Sequence, residues 1–310
     1  MHAISVLAVS AALWLVAAPA AAQTNSPSGR PLGVSAESVL LLDTQGRVLY
    51  AKNPAEDHAP ASLVKLMTLY LACEALEAGR AQWEEPVLIS HRAALTPRYR
   101  MGIKRGETVP LRTLLEGVAI ASANDAATAV AEHLAGTEEA FVASMNAKGD
   151  ELGLTHTHFA NAHGLPDPAQ RSTAEDLAKL TARLLDDYPA SRPLLGGATF
   201  VYRGRVYNRR IPLFQDPGGV QAVKTGFTRE AGYNLAISAW KSGQQFLVII
   251  LGSQSRSLSF RDAKTVLRYG FLETGLEFEP EKPSRRPVRP RLPPRRPNER
   301  RSQAALPGAG

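Results

Sequence analysis

Ala61-Ser62-Leu63-Val64-Lys65-Leu66-Met67-Thr68 opens an apolar run that continues to Gly79. Leu63, Val64, Leu66, Met67, Leu69, Leu71, Ala72, Ala75 and Leu76 leave no wide polar stripe, so a helix here is predicted to be buried on most sides. Pro60 and Gly79 stand where a helix starts and stops. A lysine one turn into a core helix is out of place, because lysine is rarely buried without a partner or a task. Residues three apart share a helix face, so Ser62 Oγ and the Lys65 amine are predicted to meet.

Working outward from this helix, residues 38–42 and 48–51 are strand-like runs about the turn Asp43-Thr44-Gln45-Gly46. Residues 111–119, 126–134, 138–152 and 173–188 read as helices, and Ala121-Ser122-Ala123-Asn124-Asp125 interrupts the first two. Strand character returns after Pro193. Residues 199–202 and 206–208 flank a turn at Arg203-Gly204-Arg205, residues 220–225, 233–240 and 246–251 are β-rich, and residues 257–271 form a closing helix. Strands at both ends with helices between them predict an α+β domain over residues 35–277. Its sheet is expected to be mainly antiparallel and packed by helices, with a helical lobe inserted.

The 310 residues are 44% hydrophobic and 21% charged, enough for one large domain or two small ones. A net charge of +7 would point to nucleic acid if it were spread over the chain. Instead, nine basic and two acidic side chains between Glu281 and Arg301 account for all of it, leaving 27 of each sign elsewhere. Nucleic acid is therefore not an expected partner. Cys73, the single cysteine, reads as a small apolar residue of the core helix. Residues 4–22 are apolar and end in alanines, as in a secretory signal, although the usual basic start is missing. A signal peptide over residues 1–22 and a linker over 23–34 are expected, with an uncleaved anchor as the alternative. The location implied is periplasmic or otherwise extracytoplasmic. Residues 278–310 are rich in Pro and Arg and too poor in apolar side chains to fold alone. They are expected to be a solvated tail, or else to hold the protein at the periphery of an anionic membrane or wall polymer by charge.

Ser62 by itself is a weak nucleophile and needs a base. Lys65 serves only when neutral, which burial and a second cation nearby would favour. The competing role for Ser62 is a helix N-cap. Ser122-Ala123-Asn124 lies in the break between two helices, where capping is again the competing role. Lys224-Thr225-Gly226 ends a β-run, where a glycine lets a substrate backbone approach the sheet edge and Lys224 and Thr225 are suited to a carboxylate. The competing reading of Lys224 is an exposed strand lysine. Two further matches act as internal controls. Ser238-Ala239-Trp240-Lys241 falls in a strand-like run, which puts its Ser and Lys on opposite faces, and Ser144-Met145-Asn146 falls inside a helix. His156, His158 and His163 are spaced suggestively for a metal, but no metal or cofactor is expected.

Ser-x-x-Lys, Ser-x-Asn and Lys-Thr-Gly, in that order on a helix start, an interhelix loop and a strand, form the set used by penicillin-binding proteins and serine β-lactamases. The surroundings of each motif agree, as do Asn161-x-x-Gly164-Leu165 and Ala231-Gly232-Tyr233-Asn234-Leu235. From Ser35 to Phe271 the chain resembles the low-molecular-mass penicillin-binding proteins of the serine D-alanyl-D-alanine carboxypeptidase family, with a β-lactamase/transpeptidase-like fold. The resemblance implies that Ser62 forms an acyl-enzyme, Lys65 activates it, and Ser122 passes protons to the leaving amine. It implies that Asn124 orients Lys65 and the substrate, that Lys224, Thr225 and Gly226 bind the terminal carboxylate end, and that the backbone N–H groups of Ser62 and Phe227 form the oxyanion hole. The implied ligands are peptidoglycan stem peptides ending in D-Ala-D-Ala, and β-lactams. Many relatives carry a second, β-rich domain and a C-terminal amphipathic anchor helix, and the Pro/Arg tail, with no apolar face, is not expected to serve as either. The rival readings are a serine β-lactamase, for which a Glu-x-x-Leu-Asn element is absent, and a non-catalytic muropeptide- or penicillin-binding module.

Overall fold

Apolar runs from the two ends of the chain meet in one sheet. The computed structural model describes residues 32–215 and 219–276. The expected signal, most of the linker and the Pro/Arg tail lie outside the described residues. In chain order the elements are β1 Ser38–Leu42, β2 Val48–Lys52, α1 Lys65–Glu77, β3 Pro86–Leu88, α2 His91–Leu95, β4 Thr108–Pro110, α3 Leu111–Ala119, α4 Asn124–Ala135 and α5 Glu138–Glu151. There follow α6 Ala174–Asp187, α7 Ser191–Gly196, β5 Thr199–Tyr202, β6 Arg205–Asn208, β7 Val220–Thr228, β8 Gly232–Lys241, β9 Gln244–Ser253 and α8 Arg256–Glu273.

The main sheet has the order β2-β1-β9-β8-β7, and every neighbour is antiparallel. Its centre, β9, is buried on both faces, so it reads as a continuous apolar run. Side chains alternate between two cores. Leu40, Leu42, Leu247, Ile249 and Leu251 face the helical lobe, whereas Val39, Leu41, Phe246, Val248 and Ile250 face α8. On β7, Ala222 packs into the lobe-facing core and Val223 into the α8-facing core. Period two therefore turns Lys224 towards the lobe and Thr225 and Phe227 the other way.

The apolar helix after Ser62 lies where its composition predicts. Between the sheet and the lobe, α1 touches α3, α4, α5, α6 and α7. Leu66, Met67 and Leu69 are fully buried, each worth about 1.5–3 kcal/mol relative to exposure. Four helices begin at side-chain caps: Ser90, Thr137, Thr173 and Ser255 each accept the N–H three residues on.

The long helices, the β5–β6 hairpin and the three late strands lie where the sequence predicts them, with β7 to β9 longer at their ends. Not predicted are β3, β4, α2, α7 and a 3-10 turn at Pro212–Gln215. These elements are three to six residues long, too short to show a period.

Candidate active site

Ser62 lies in a 3-10 turn, Ala61–Val64, that leads directly into α1. Its hydroxyl does not cap the helix, because neither that turn nor α1 has a side-chain cap. Instead it accepts a 3.0 Å hydrogen bond from Lys65 Nζ. Lys65 is 0% exposed and its amine has two further acceptors, Asn124 Oδ1 at 2.7 Å and the carbonyl of His163. All three ammonium protons would find partners, yet burial pushes the Lys65 amine down to about 7, with the nearby Asp125 carboxylate working in the opposite direction. The expected contribution of a second cation falls elsewhere. It is Lys224 whose amine is lowered by a neighbouring lysine, Lys65, and by Arg209, after the larger effect of burial.

Asn124 is the first residue of α4 and is held from both sides. Its N–H bonds the carbonyl of Tyr99, and its Nδ2 donates to the carbonyls of Pro97, at 3.0 Å, and Arg98, which leaves Oδ1 facing Lys65. The next residue, Asp125, accepts from the N–H groups of Met101, Gly102 and Ile103, fixing the loop ahead of β4. Ser122 sits between α3 and α4 at φ 55°, a left-handed conformation that non-glycine residues adopt only under constraint. It is not a cap either. Its Oγ accepts a 2.9 Å hydrogen bond from Lys224 Nζ, which also reaches the carbonyl of Thr225 at 2.9 Å. Two lysine–serine pairs, Lys65–Ser62 and Lys224–Ser122, thus face each other across the junction of helix and sheet.

Lys224-Thr225-Gly226 lies inside β7 and not at its end, since the strand continues to Thr228. Lys224 is 1% exposed, so it is no surface lysine. The glycine also has a use within the protein itself. A Cβ on Gly226 would stand 3.1 Å from both Pro60 O and Ser62 N, so the residue lets the turn that carries Ser62 press against the strand. Gly164, at φ +83°, also approaches the turn, so near that a Cβ would lie 2.0 Å from Ala61 O. Ala61 itself is at φ 49°. The turn that presents Ser62 is thus approached closely by two glycines. Asn234 adds a third restraint, with Nδ2 donating to Ala59 O at 3.0 Å and Oδ1 accepting from Gly252 N–H.

The pairs open onto a groove of about 550 Å³ lined by Ser62, Ser122, Thr225 and Phe227 among others. Among its described lining residues four are arginines, Arg100, Arg205, Arg209 and Arg256, and none is acidic. The groove therefore favours an anion. No motif pointed to these arginines, which come from separate segments. Arg209 is the most constrained: it donates to the carbonyls of Gly197, Ala119, Val223 and Leu195, and burial lowers its guanidinium to about 10.

The control motifs behave as their local structure requires. Ser238 and Lys241 lie in β8, and Ser238 Oγ accepts from Gln245. Ser144 bonds back to Ala140 O within α5, while Asn146 holds Phe159. The three histidines do not converge. The N–H of His156 is taken by Asp176, the backbone of His158 pairs with Arg171, and the ring of His163 lies 3.4 Å from Glu138. Among the described residues no group of three His, Cys, Asp or Glu side chains is arranged to hold a metal ion.

Known proteins share this arrangement of chain. A family model described as D-alanyl-D-alanine carboxypeptidase matches residues 22–255. D-alanyl-D-alanine carboxypeptidase DacC of Escherichia coli (strain K12) is 34% identical over 285 residues, covering 89% of this chain and 71% of that protein. DacA of the same strain is 34% identical over 264 residues, covering 80% of this chain and 66% of the relative. The chain thus spans from just under two thirds to about seven-tenths of those relatives' lengths. Among solved structures, penicillin binding protein 5 from Haemophilus influenzae matches with a TM-score of 0.76 and 32% identity, covering 78% of this chain and 72% of that one. With the family model covering most of the chain and the fold shared, the chain belongs to the D-alanyl-D-alanine carboxypeptidase family of serine hydrolases.

Proposed function

We propose that the protein removes the terminal D-alanine from peptidoglycan stem peptides through an ester on Ser62, and that β-lactams acylate the same oxygen. The observation that carries this reading is the buried Lys65 amine, lowered to about 7 and hydrogen-bonded to Ser62 Oγ at 3.0 Å. A neutral amine at that distance is a competent general base.

In the proposed first step the Ser62 Oγ–H proton passes to Lys65 Nζ as Oγ attacks the carbonyl carbon of the penultimate D-alanine. The developing oxyanion is met by the backbone N–H groups of Ser62 and Phe227. The peptide C–N bond then breaks, and the leaving amine takes a proton through Ser122, whose Oγ is already hydrogen-bonded to Lys224. Water cleaves the ester, releasing the shortened peptide and restoring Ser62. Asn124 holds Lys65 in line, and Lys224 with Thr225 receives the terminal carboxylate. A carboxylate arriving beside Lys224 would favour the charged amine that burial now disfavours. The groove's arginines and its lack of acidic lining among the described residues support an anionic end group. The apolar residues 4–22 support an extracytoplasmic location for this chemistry.

The deciding experiment is mass spectrometry on a defined pentapeptide ending in D-Ala-D-Ala. Wild-type protein is expected to release one D-alanine and to gain the mass of one benzylpenicillin on Ser62. Ser62→Ala is expected to do neither, and D-alanine release by that variant would refute the assignment.

A further inference from the structure

Lys65 Nζ meets three partners, and two of them can only accept: Asn124 Oδ1 at 2.7 Å and the carbonyl of His163. The third, Ser62 Oγ, can accept or donate. A neutral amine has two N–H groups and one lone pair. With Asn124 and His163 taking both N–H groups, the lone pair is left for the Ser62 hydroxyl proton, which is the arrangement a general base needs. The His163 carbonyl therefore aims the base as much as Asn124 does. Asn124 is fixed by its place at the start of α4 and by the carbonyls it bonds. His163 belongs to the segment between α5 and α6 and must be held from elsewhere.

Glu138, the first residue of α5, is a carboxylate only 5% exposed. Its Oε1 accepts from the N–H of Ala162 at 3.1 Å and lies 3.4 Å from His163 Nε2. His163 Nδ1 accepts from the N–H of Leu165 at 3.2 Å, so the ring proton sits on Nε2 and faces the carboxylate. Burial, and then the charges of Lys65 and Arg92, push this imidazole down to about 3. The contact is thus a neutral N–H towards a carboxylate and not an ion pair. The charge of Glu138 is met instead by Arg92 of α2, whose Nη2 lies 3.0 Å from Oε2. The Ala162 carbonyl accepts from Thr68 Oγ1 of α1 at 2.6 Å. A buried carboxylate is costly unless paired and hydrogen-bonded, and this one spends its bonds on the two residues whose carbonyls touch α1.

We propose that Glu138 is a positioning residue for the base: by holding the Ala162 N–H and the His163 ring, it sets the His163 carbonyl against Lys65 Nζ and leaves the amine's lone pair aimed at the Ser62 hydroxyl. Glu138 is not among the described residues that line the groove, and it acts through His163. The role rests on the reading of Lys65 as the base that activates Ser62.

Two substitutions separate reach from charge. Glu138→Gln keeps an acceptor at the same reach and loses the charge, whereas Glu138→Asp keeps the charge and draws it back by one methylene. Single-turnover acylation by benzylpenicillin gives the acylation rate constant apart from the dissociation constant of the complex that precedes it. Glu138→Asp is expected to lower the rate constant about tenfold, the scale of one lost hydrogen bond, with the dissociation constant unchanged. Glu138→Gln should lose less than about threefold, since both donors keep an acceptor. Thr68→Val frees the Ala162 carbonyl without touching Glu138 and should slow acylation in the same sense, which decides the matter if Glu138→Asp proves unfolded in urea titrations. An unchanged rate constant in Glu138→Asp, a loss confined to the dissociation constant, equal losses in Asp and Gln, or wild-type acylation by Thr68→Val overturns the assignment. Lys65→Met tests the reading beneath it. Wild-type acylation by that variant removes Lys65 as the base, whereas acylation lost in Lys65→Met and intact in Glu138→Asp removes only the role of Glu138.

Discussion

Replacing Lys65 by Met tests the central inference through stability as well as through catalysis. The unfolded chain carries this amine at 10.5 and the folded chain at about 7, because burial disfavours its charge. Between those values the unfolded state binds a proton that the folded state does not, so stability rises with pH. Below about 7 both states are protonated and the full penalty, roughly 5 kcal/mol, stays constant. From about pH 6 to about pH 9 the wild-type protein should gain roughly 2–3 kcal/mol on Lys65→Met, which has no proton to exchange there. The amine's charge also depresses Lys224, so the comparison is made with Lys224→Met in both backgrounds. Urea unfolding at several pH values reads the difference directly. In the wild-type protein, the rate of acylation by benzylpenicillin should rise about tenfold per pH unit on the acid side and level off above about 7. A stability difference that stays flat within about 0.5 kcal/mol across the range would show that Lys65 does not titrate there, and its role as base would fall with it.

Lys224→Ala should lower kcat/KM for a D-Ala-D-Ala peptide by about 100-fold, the scale of a lost charge-assisted hydrogen bond, and should leave an amide-terminated analogue much less affected. An equal loss on both substrates would remove Lys224 from carboxylate recognition. Asp125→Asn removes the charge that raises the Lys65 amine, so the acid limb of the acylation profile should move to lower pH, and a shift upwards would contradict that coupling. The same variant weakens three backbone N–H contacts and should cost about 1–3 kcal/mol in urea unfolding. Gly164→Ala places a Cβ 2.0 Å from Ala61 O at a positive φ and should destabilise the protein by more than about 3 kcal/mol, whereas Gly226→Ala, at 3.1 Å, should mainly slow acylation. Thermal unfolding and penicillin labelling of the two variants check this order, and wild-type behaviour from Gly164→Ala would contradict the close approach.

Much of the molecule was legible in the residue order. The core position of α1 follows from an apolar run without a polar face, and the meeting of Ser62 with Lys65 follows from their spacing on a helix. The same local geometry dismissed the Ser238 and Ser144 matches. The sheet could be assembled in outline because strands at both ends enclose a helical middle.

What the sequence by itself determined is local: periodicity selects helix or strand, and spacing decides which side chains share a face. Tertiary structure alone decided how the three motifs meet. Lys224 reaches Ser122 because antiparallel pairing turns the even positions of β7 towards the helical lobe. Gly226 and Gly164 matter because two distant backbones converge on Ala61 and Ser62, a contact that no neighbouring residue announces. The lowered amine of Lys65 arises from burial among segments far off in sequence, Asn124 of α4 and the His163 carbonyl among them, and desolvation is a property of the packed fold, not of the residue.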